Sequence, residues 1–138
     1  MNRLLIDTNI LVYLLTDMLD DDTDALVRDY ETQVYVSSVS VMEFINLIQS
    51  GRIHIRKSAQ FEVFDFIENS LGYHILYTNQ EHLKHQYSLP VVEGHNDPND
   101  RLIIAQAICE GLELVSSDNM FRHYCKYGLR FIKANKNF

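Results

Sequence analysis

Residues 95–110 read HNDPNDRLIIAQAICE and combine a clearly marked helix start with an almost unbroken apolar run. Asp97 suits the N-cap, Pro98 suits the first helical position because its missing N–H would have no partner there, and Asp100 follows three residues after the cap. From Leu102 onward the segment has almost no polar stripe, which predicts a helix buried on most of its circumference. By themselves, the two acids could simply pair with free amides and oppose the positive end of the helix dipole.

Apolar runs and helical segments alternate along the rest of the chain. We predict strands over Arg3–Ile6, Val34–Ser37, Tyr73–Thr78, Glu113–Ser116 and Leu129–Ala134. We predict the remaining helices from Ile10 to about Thr16, over Thr23–Tyr30, from Val41 to a stop at Gly51, over Lys57–Leu71, from the cap Asn79 to about Leu89, and over Met120–Tyr124. Strands separated by helices imply a mostly parallel sheet with helices on both faces. The predicted fold class is therefore α/β, a three-layer α/β/α domain that spans residues 1–138 as one unit.

Composition bounds the class of protein. The 138 residues are 46% hydrophobic, enough for one real core. No apolar run approaches the length of a membrane helix and no secretory leader is visible, so we expect a cytoplasmic protein. Cys109 and Cys125 have neither zinc spacing nor a disulfide framework and are expected to be reduced. The net charge of −7 argues weakly against a protein that simply coats nucleic acid.

Four acids stand at comparable places, either after a predicted strand or near a helix start: Asp7, Glu43, Asp100 and Asp118. Each has a capping explanation by itself; Ser40 and Glu43, for example, have the spacing of a capping box. Right-handed crossovers, however, place these turns on one rim of the sheet. Carboxylates gathered there would repel one another unless cations lay between them. A rim of oxygen ligands without clustered His or Cys suits Mg²⁺ or Mn²⁺ better than zinc, and Asn9 could orient a metal-bound water or a carboxylate.

Four motifs together resemble a known family. They are DTN at residues 7–9, SVMEF at 40–44, HNDPNDRLIIAQA at 95–107 and SSDNMF at 116–121. In this register the chain resembles PIN-domain ribonucleases, and among them it is similar to the VapC-like toxins of bacterial toxin–antitoxin pairs. The similarity extends over essentially the whole chain, although Asn99 replaces the usual aromatic residue before Asp100.

The resemblance implies a function and a site. Asp7, Glu43, Asp100 and Asp118 would form the acidic metal site, Asn9 and Ser40 would support it, and Asp97 would lie close by. The implied activity is Mg²⁺- or Mn²⁺-dependent endonucleolytic cleavage of RNA by an activated water, which leaves a 5′-phosphate and a 3′-hydroxyl. The family's usual protein partner is a small antitoxin that blocks the site, and homodimers are common.

Other polar residues have less specific roles. We expect the basic residues before the fourth helix and near the C-terminus to be the candidates for contact with an RNA backbone: Arg52, Arg56, Lys57, Lys126 and Arg130. His95 is expected to pack or hydrogen-bond within its loop rather than to act as a general acid. Arg101 is expected to pair with an acid or a carbonyl.

Two alternatives remain open. A non-catalytic PIN-like module that binds RNA or protein would keep the fold without the activity. A Mg²⁺-dependent phosphotransfer domain also collects acids at a sheet edge, but it fits poorly. Asn9 stands where a haloacid-dehalogenase-like phosphatase has a second aspartate, and Thr78 and Asn79 stand where a receiver domain has its aspartate. A divalent-metal titration separates these alternatives, because a binding module need not bind Mg²⁺.

Overall fold

The computed structural model describes residues 2–55 and 61–136. Within them, five strands form one parallel sheet in the order β3-β2-β1-β4-β5. The strands are β1 (Arg3–Ile6), β2 (Gln33–Ser37), β3 (His74–Leu76), β4 (Glu113–Ser116) and β5 (Arg130–Lys133). The central strand β1 pairs Leu4 with Val34 of β2 on one side and with Glu113 of β4 on the other.

Helices cover both faces of this sheet. They are α1 (Thr8–Thr16), α2 (Asp21–Arg28), α3 (Ser38–Gln49), α4 (Val63–Asp65, continued by a π-helical turn over Phe66–Ser70), α5 (Gln80–Ser88) and α6 (Pro98–Glu110), followed by a 3₁₀ helix (Asn119–Tyr127). Along β1, Leu4 and Ile6 pack into a core with α1, α2 and α3, whereas Leu5 packs into a second core with α6 and the 3₁₀ helix. This alternation follows from the two-residue period of a strand. The predicted three-layer α/β/α class is confirmed.

The start of α3 differs from the prediction. The chain enters the helix directly from β2, and the N-cap is Ser37, whose hydroxyl accepts the N–H of Val39 at 3.2 Å. Ser40 therefore lies inside the first turn and is fully buried, and Glu43 lies in the second turn. The capping box predicted for Ser40 and Glu43 is wrong, because an earlier serine at the strand end already fills the cap position.

The fourth predicted helix is also shorter in the part that can be compared. Residues 56–60 lie outside the described residues, and the predicted helix start at Lys57 lies among them. Further along, Glu62 accepts the N–H groups of Phe64 and Asp65, and a helical turn begins there. The turn continues as a π-helix to Ser70.

Three other boundaries shift for local reasons. The edge strand β3 covers three residues rather than the six predicted from Tyr73 to Thr78, because it pairs only with the last three residues of β2. The helix α2 begins at Asp21 because Asp20 caps it, and it ends at Arg28. The brief helix predicted at 120–124 is a longer 3₁₀ helix over Asn119–Tyr127. Its C-cap is Gly128, whose φ of 104° is accessible mainly to glycine.

The helix α6 follows the prediction closely. Asp97 is its N-cap and Pro98 its first residue. The Arg101 guanidinium donates to the carbonyls of Gln86 and Leu89 at the end of α5, as expected of a residue that pairs with carbonyls. This contact ties the start of α6 to the end of α5. In the described part of the chain, no helix is long and apolar enough to cross a membrane.

Candidate metal centre

Asp7 directly follows the central strand β1 and is the most buried of the four acids, with 7% of its surface exposed. Its Oδ1 accepts the N–H of Ile10 at 3.2 Å, which makes it the N-cap of α1. Its Oδ2 accepts the hydroxyl of Ser116 at 2.5 Å. Burial raises the pKa of Asp7 from 3.8 to about 7; the two hydrogen bonds oppose this rise, and the charges of Asp100 and Asp118 add to it.

Asp118 follows the end of β4 and faces Asp7 from the neighbouring strand. Its Oδ1 accepts the N–H of Met120 at 2.9 Å and so caps the 3₁₀ helix. Its own N–H donates to the Ser116 hydroxyl at 3.0 Å. Ser116 therefore links two of the predicted acids, since its one buried hydroxyl donates to Asp7 and accepts from the backbone of Asp118.

Two acids, Asp97 and Asp100, stand at the start of α6, and only Asp97 caps the helix. Asp97 accepts the N–H groups of Asn99 at 2.8 Å and Asp100 at 3.3 Å, so the cap is complete without the Asp100 side chain. Oδ2 of Asp100 lies 3.2 Å from Nε2 of His95. Burial raises the pKa of Asp100, the His95 hydrogen bond lowers it, and the charges of Asp97 and Glu43 raise it further.

Glu43 reaches the same place from α3. Its Oε1 accepts the hydroxyl of Thr8 at 2.7 Å, across a separation of 35 residues. This bond fixes the direction of a long side chain that α3 alone would leave free to rotate. Thr8 belongs to the DTN motif, but its role was not foreseen from the sequence.

The structure brings the four predicted acids together at the carboxyl edge of the sheet. A cleft of about 140 Å³ is lined by Asp7, Thr8, Asn9, Glu43, Asp100, Ile103, Asp118 and Phe121. The charge of each of Asp118 and Asp100 acts on Asp7, and the charge of Glu43 acts on Asp100. Asn9 is at the cleft surface, as a supporting residue would be. The buried Ser40 is different: its hydroxyl has no hydrogen-bond partner among the described residues.

The donor set fits a divalent cation. Asp100 and Asp118 each offer a carboxylate oxygen, and these oxygens and a ring nitrogen of His95 all lie within 4.8 Å of one another. Two acids of the cleft, Asp7 and Asp100, have raised pKa values, as expected where carboxylates lose solvent and face other negative charge without a cation between them. Carboxylate oxygens favour Mg²⁺ or Mn²⁺. The expectation of a rim without a clustered histidine is wrong, since His95 is part of the group.

The predicted RNA-binding residues do not lie beside the acids. Arg52 follows the end of α3, Lys126 lies in the last turn of the 3₁₀ helix, and Arg130 begins β5. The helix α3 and the 3₁₀ helix start at the carboxyl edge of the sheet and run back across it, so their last residues come close to the amino edge. The strand β5 begins at this amino edge, because it is parallel to β4. All three side chains are exposed there. Arg56 and Lys57 lie outside the described residues.

The chain matches one protein family and resembles several solved structures. The family described as the PIN domain matches residues 4–127. A chain of the VapBC2 complex of Rickettsia felis, bound to a DNA fragment from its promoter, superimposes with a TM-score of 0.70 at 17% identity, over 96% of this chain and 99% of that one. A chain of the DNA-bound VapBC complex of Salmonella typhimurium gives 0.64 at 18% identity, over 96% and 98%.

A chain of VapBC-1 from nontypeable Haemophilus influenzae gives a TM-score of 0.61 at 16% identity, over 95% of this chain and 97% of that one. No curated protein matches the sequence significantly. At these identities the likeness to solved structures shows the fold. The family match covers most of the chain, from the first strand to the end of the 3₁₀ helix. The chain is therefore a member of the PIN domain family.

Proposed function

We propose that this protein is a Mg²⁺- or Mn²⁺-dependent endoribonuclease. The observation that carries the proposal is the meeting of Asp7, Glu43, Asp100 and Asp118 in one cleft, although they come from four separate parts of the chain. Capping explains the positions of Asp7 and Asp118, but it explains neither Glu43 in the second turn of α3 nor Asp100 at a helix start that Asp97 already caps. Membership of the PIN domain family supports the same conclusion.

In this proposal the protein's own groups hold the acids in place. The hydroxyl of Ser116 holds Asp7, and the hydroxyl of Thr8 holds Glu43. The carboxylate oxygens of the cleft would hold the cations. Bound cations would activate water for attack on phosphorus and would stabilise charge on the attacking and leaving oxygens. The products are a 5′-phosphate and a 3′-hydroxyl.

The test is cleavage of a labelled structured RNA in Mg²⁺, in Mn²⁺ and in EDTA. We expect Asp7→Asn and Asp100→Asn each to fold and to lose metal-dependent cleavage. Asp22→Asn is the matched control, because Asp22 is an exposed aspartate in the first turn of α2. Wild-type cleavage by a folded Asp7→Asn or Asp100→Asn protein would contradict the site assignment. A folded protein that cuts none of a broad set of RNAs and also binds no Mn²⁺ would support the non-catalytic alternative, whereas Mn²⁺ binding without cleavage would indicate a narrow substrate.

We further propose that the nuclease is the toxin of a toxin–antitoxin pair and acts in the cytoplasm as a single domain over residues 1–138. The support is the shared fold with chains of VapBC complexes and of a toxin–antitoxin complex from Klebsiella pneumoniae. We expect overproduction to slow bacterial growth, and we expect co-expression of the adjacent small open reading frame to relieve the effect. Unchanged growth would contradict the toxin assignment and leave the nuclease assignment in place.

A homodimer belongs to the same proposal. Light scattering behind size-exclusion chromatography measures the mass directly, and twice the 16.1 kDa of one chain is expected. A monomer at all concentrations tested would contradict this part alone.

A further inference from the structure

His95 is held rigidly at the edge of the cleft. It lies in the loop before α6, with 6% of its surface exposed. Its N–H donates to the carbonyl of Val92 at 3.0 Å, and its carbonyl accepts the hydroxyl of Tyr124 at 2.7 Å. Its ring packs edge-on against Phe121 and Tyr124, with centroids 5.2 and 5.5 Å away. The loop and the 3₁₀ helix therefore fix the ring from two sides.

Packing alone does not account for a histidine at this position. The ring contacts two aromatic side chains, and its Nδ1 is buried without a hydrogen-bond partner among the described residues. A buried polar atom without a partner costs desolvation free energy that an apolar side chain of similar size would not cost. The other nitrogen, Nε2, faces the carboxylate of Asp100 at 3.2 Å.

Asp100 in turn depends on this contact. Asp97 occupies the N–H groups at the start of α6, so Asp100 is not fixed by capping. The bond to His95 uses Oδ2 of Asp100 and leaves Oδ1 available. A carboxylate that binds a metal through one oxygen is commonly oriented by a hydrogen bond to the other.

We propose that His95 is a positioning residue of the metal centre: its Nε2–H donates to Oδ2 of Asp100 and turns that carboxylate toward Asp118, so that both can bind one cation. This inference rests on the proposed divalent-metal site. It specifies the tautomer with the proton on Nε2, which leaves Nδ1 as the unpaired atom inside the aromatic contact. His95 itself does not touch the substrate in this role.

The test is the affinity of the metal-free protein for Mn²⁺, followed by the electron paramagnetic resonance signal of free Mn²⁺, together with the melting temperature in EDTA. We expect His95→Leu to bind Mn²⁺ about 10–100-fold more weakly than wild type, the usual loss when a residue that orients a metal ligand is removed. We expect its melting temperature in EDTA to equal or exceed that of wild type, because the unpaired nitrogen is gone. His95→Gln should restore most of the affinity, since its amide can donate from nearly the position of Nε2.

His85→Leu is the matched control, because His85 is an exposed histidine on α5 and its loss should not change the affinity for Mn²⁺. Wild-type affinity in folded His95→Leu overturns the inference, and so does an affinity of His95→Gln as low as that of His95→Leu. If His95→Leu does not fold, His95→Asn replaces it, since its shorter side chain cannot bring a donor to Asp100. Equal affinities of the Asn and Gln variants then overturn the inference. Failure of the wild-type protein to bind Mn²⁺ would instead overturn the metal site itself.

Discussion

At the scale of single residues, Asp7 makes the metal-free protein sensitive to pH. Burial raises the pKa of Asp7 to about 7, so between pH 3.8 and about 7 the folded protein binds a proton that the unfolded chain releases. The free energy of unfolding therefore falls as pH rises through this window, and the loss is complete above it. The difference between 3.8 and about 7 corresponds to roughly 4 kcal/mol.

Asp7→Asn should remove most of this dependence. An asparagine can still accept the N–H of Ile10, but it has no charge to bury. Urea denaturation in EDTA at pH 5 and pH 8 measures the effect. We expect the variant to be more stable than wild type at pH 8 and to differ less between the two pH values. Equal pH dependence in the two proteins would show that Asp7 is not the group responsible.

Ser116 is the second residue with a testable role. Its hydroxyl donates to Asp7 and accepts from the N–H of Asp118, and the residue is fully buried. Ser116→Ala leaves both partners without this bond and should lower the free energy of unfolding by roughly 1–3 kcal/mol. It should also weaken Mn²⁺ binding, because neither acid is then held in place. Ser117→Ala, one residue along and half-buried, is the control; equal effects of the two substitutions would contradict the role of Ser116.

The four acids could be predicted from the sequence, but the groups that hold them could not. Asp7, Glu43, Asp100 and Asp118 stand at strand ends and helix starts, and topology rules place such positions on one rim. Thr8 donates a hydrogen bond to an acid 35 residues away in the sequence, and Ser116 donates one to an acid 109 residues away. No local sequence pattern indicates such pairs. The acid rim was thus predictable from spacing, whereas its supporting hydroxyls required the fold.

At the scale of one element, the two acids at the start of α6 have different roles: Asp97 caps the helix, and Asp100 lines the cleft. Asp97 accepts two backbone N–H groups, so Asp97→Ala should lower the free energy of unfolding by about 1 kcal/mol. Asp97→Asn keeps an oxygen for the cap and should be nearly neutral. If Asp97 only caps the helix, the Asn variant should also bind Mn²⁺ at least as well as wild type, since a negative charge beside Asp100 is removed. Urea denaturation and Mn²⁺ titration give both values, and a large loss of affinity in Asp97→Asn would make Asp97 a ligand.

The elements that the sequence misjudged are those whose ends depend on neighbours. Ser37 and Ser40 both have the residue type of a cap for α3, and the end of β2 at Ser37 decides that the helix starts at the earlier serine. Similarly, Tyr73 to Thr78 has the composition of a longer strand, but the extent of pairing with β2 limits β3 to three residues. Element type was predictable from periodicity, whereas these boundaries were set by tertiary contacts.

At the scale of the whole molecule, the proposed cations should stabilise the fold. The metal-free cleft gathers four acids in a chain that is already negative by 7 charges. A ligand that binds only the folded state adds roughly 2.7 kcal/mol when it is present at about 100 times its dissociation constant. For a chain of this length, such a gain should raise the melting temperature by several degrees. Differential scanning fluorimetry with Mn²⁺, and with Asp100→Asn as the control, measures the shift; equal shifts in both proteins would place the cation elsewhere.

Because β1 pairs with β4, the cleft can form only after most of the chain has been synthesised. Asp7 leaves the ribosome early, whereas Ser116 and Asp118 follow more than a hundred residues later. At about 5–20 residues per second, the delay is on the order of ten seconds. During that delay the nascent chain carries Asp7 and Glu43 but cannot assemble the centre. A chain that ends before β4 therefore lacks Ser116 and Asp118, so the proposed metal centre can form only when synthesis of the chain is almost finished.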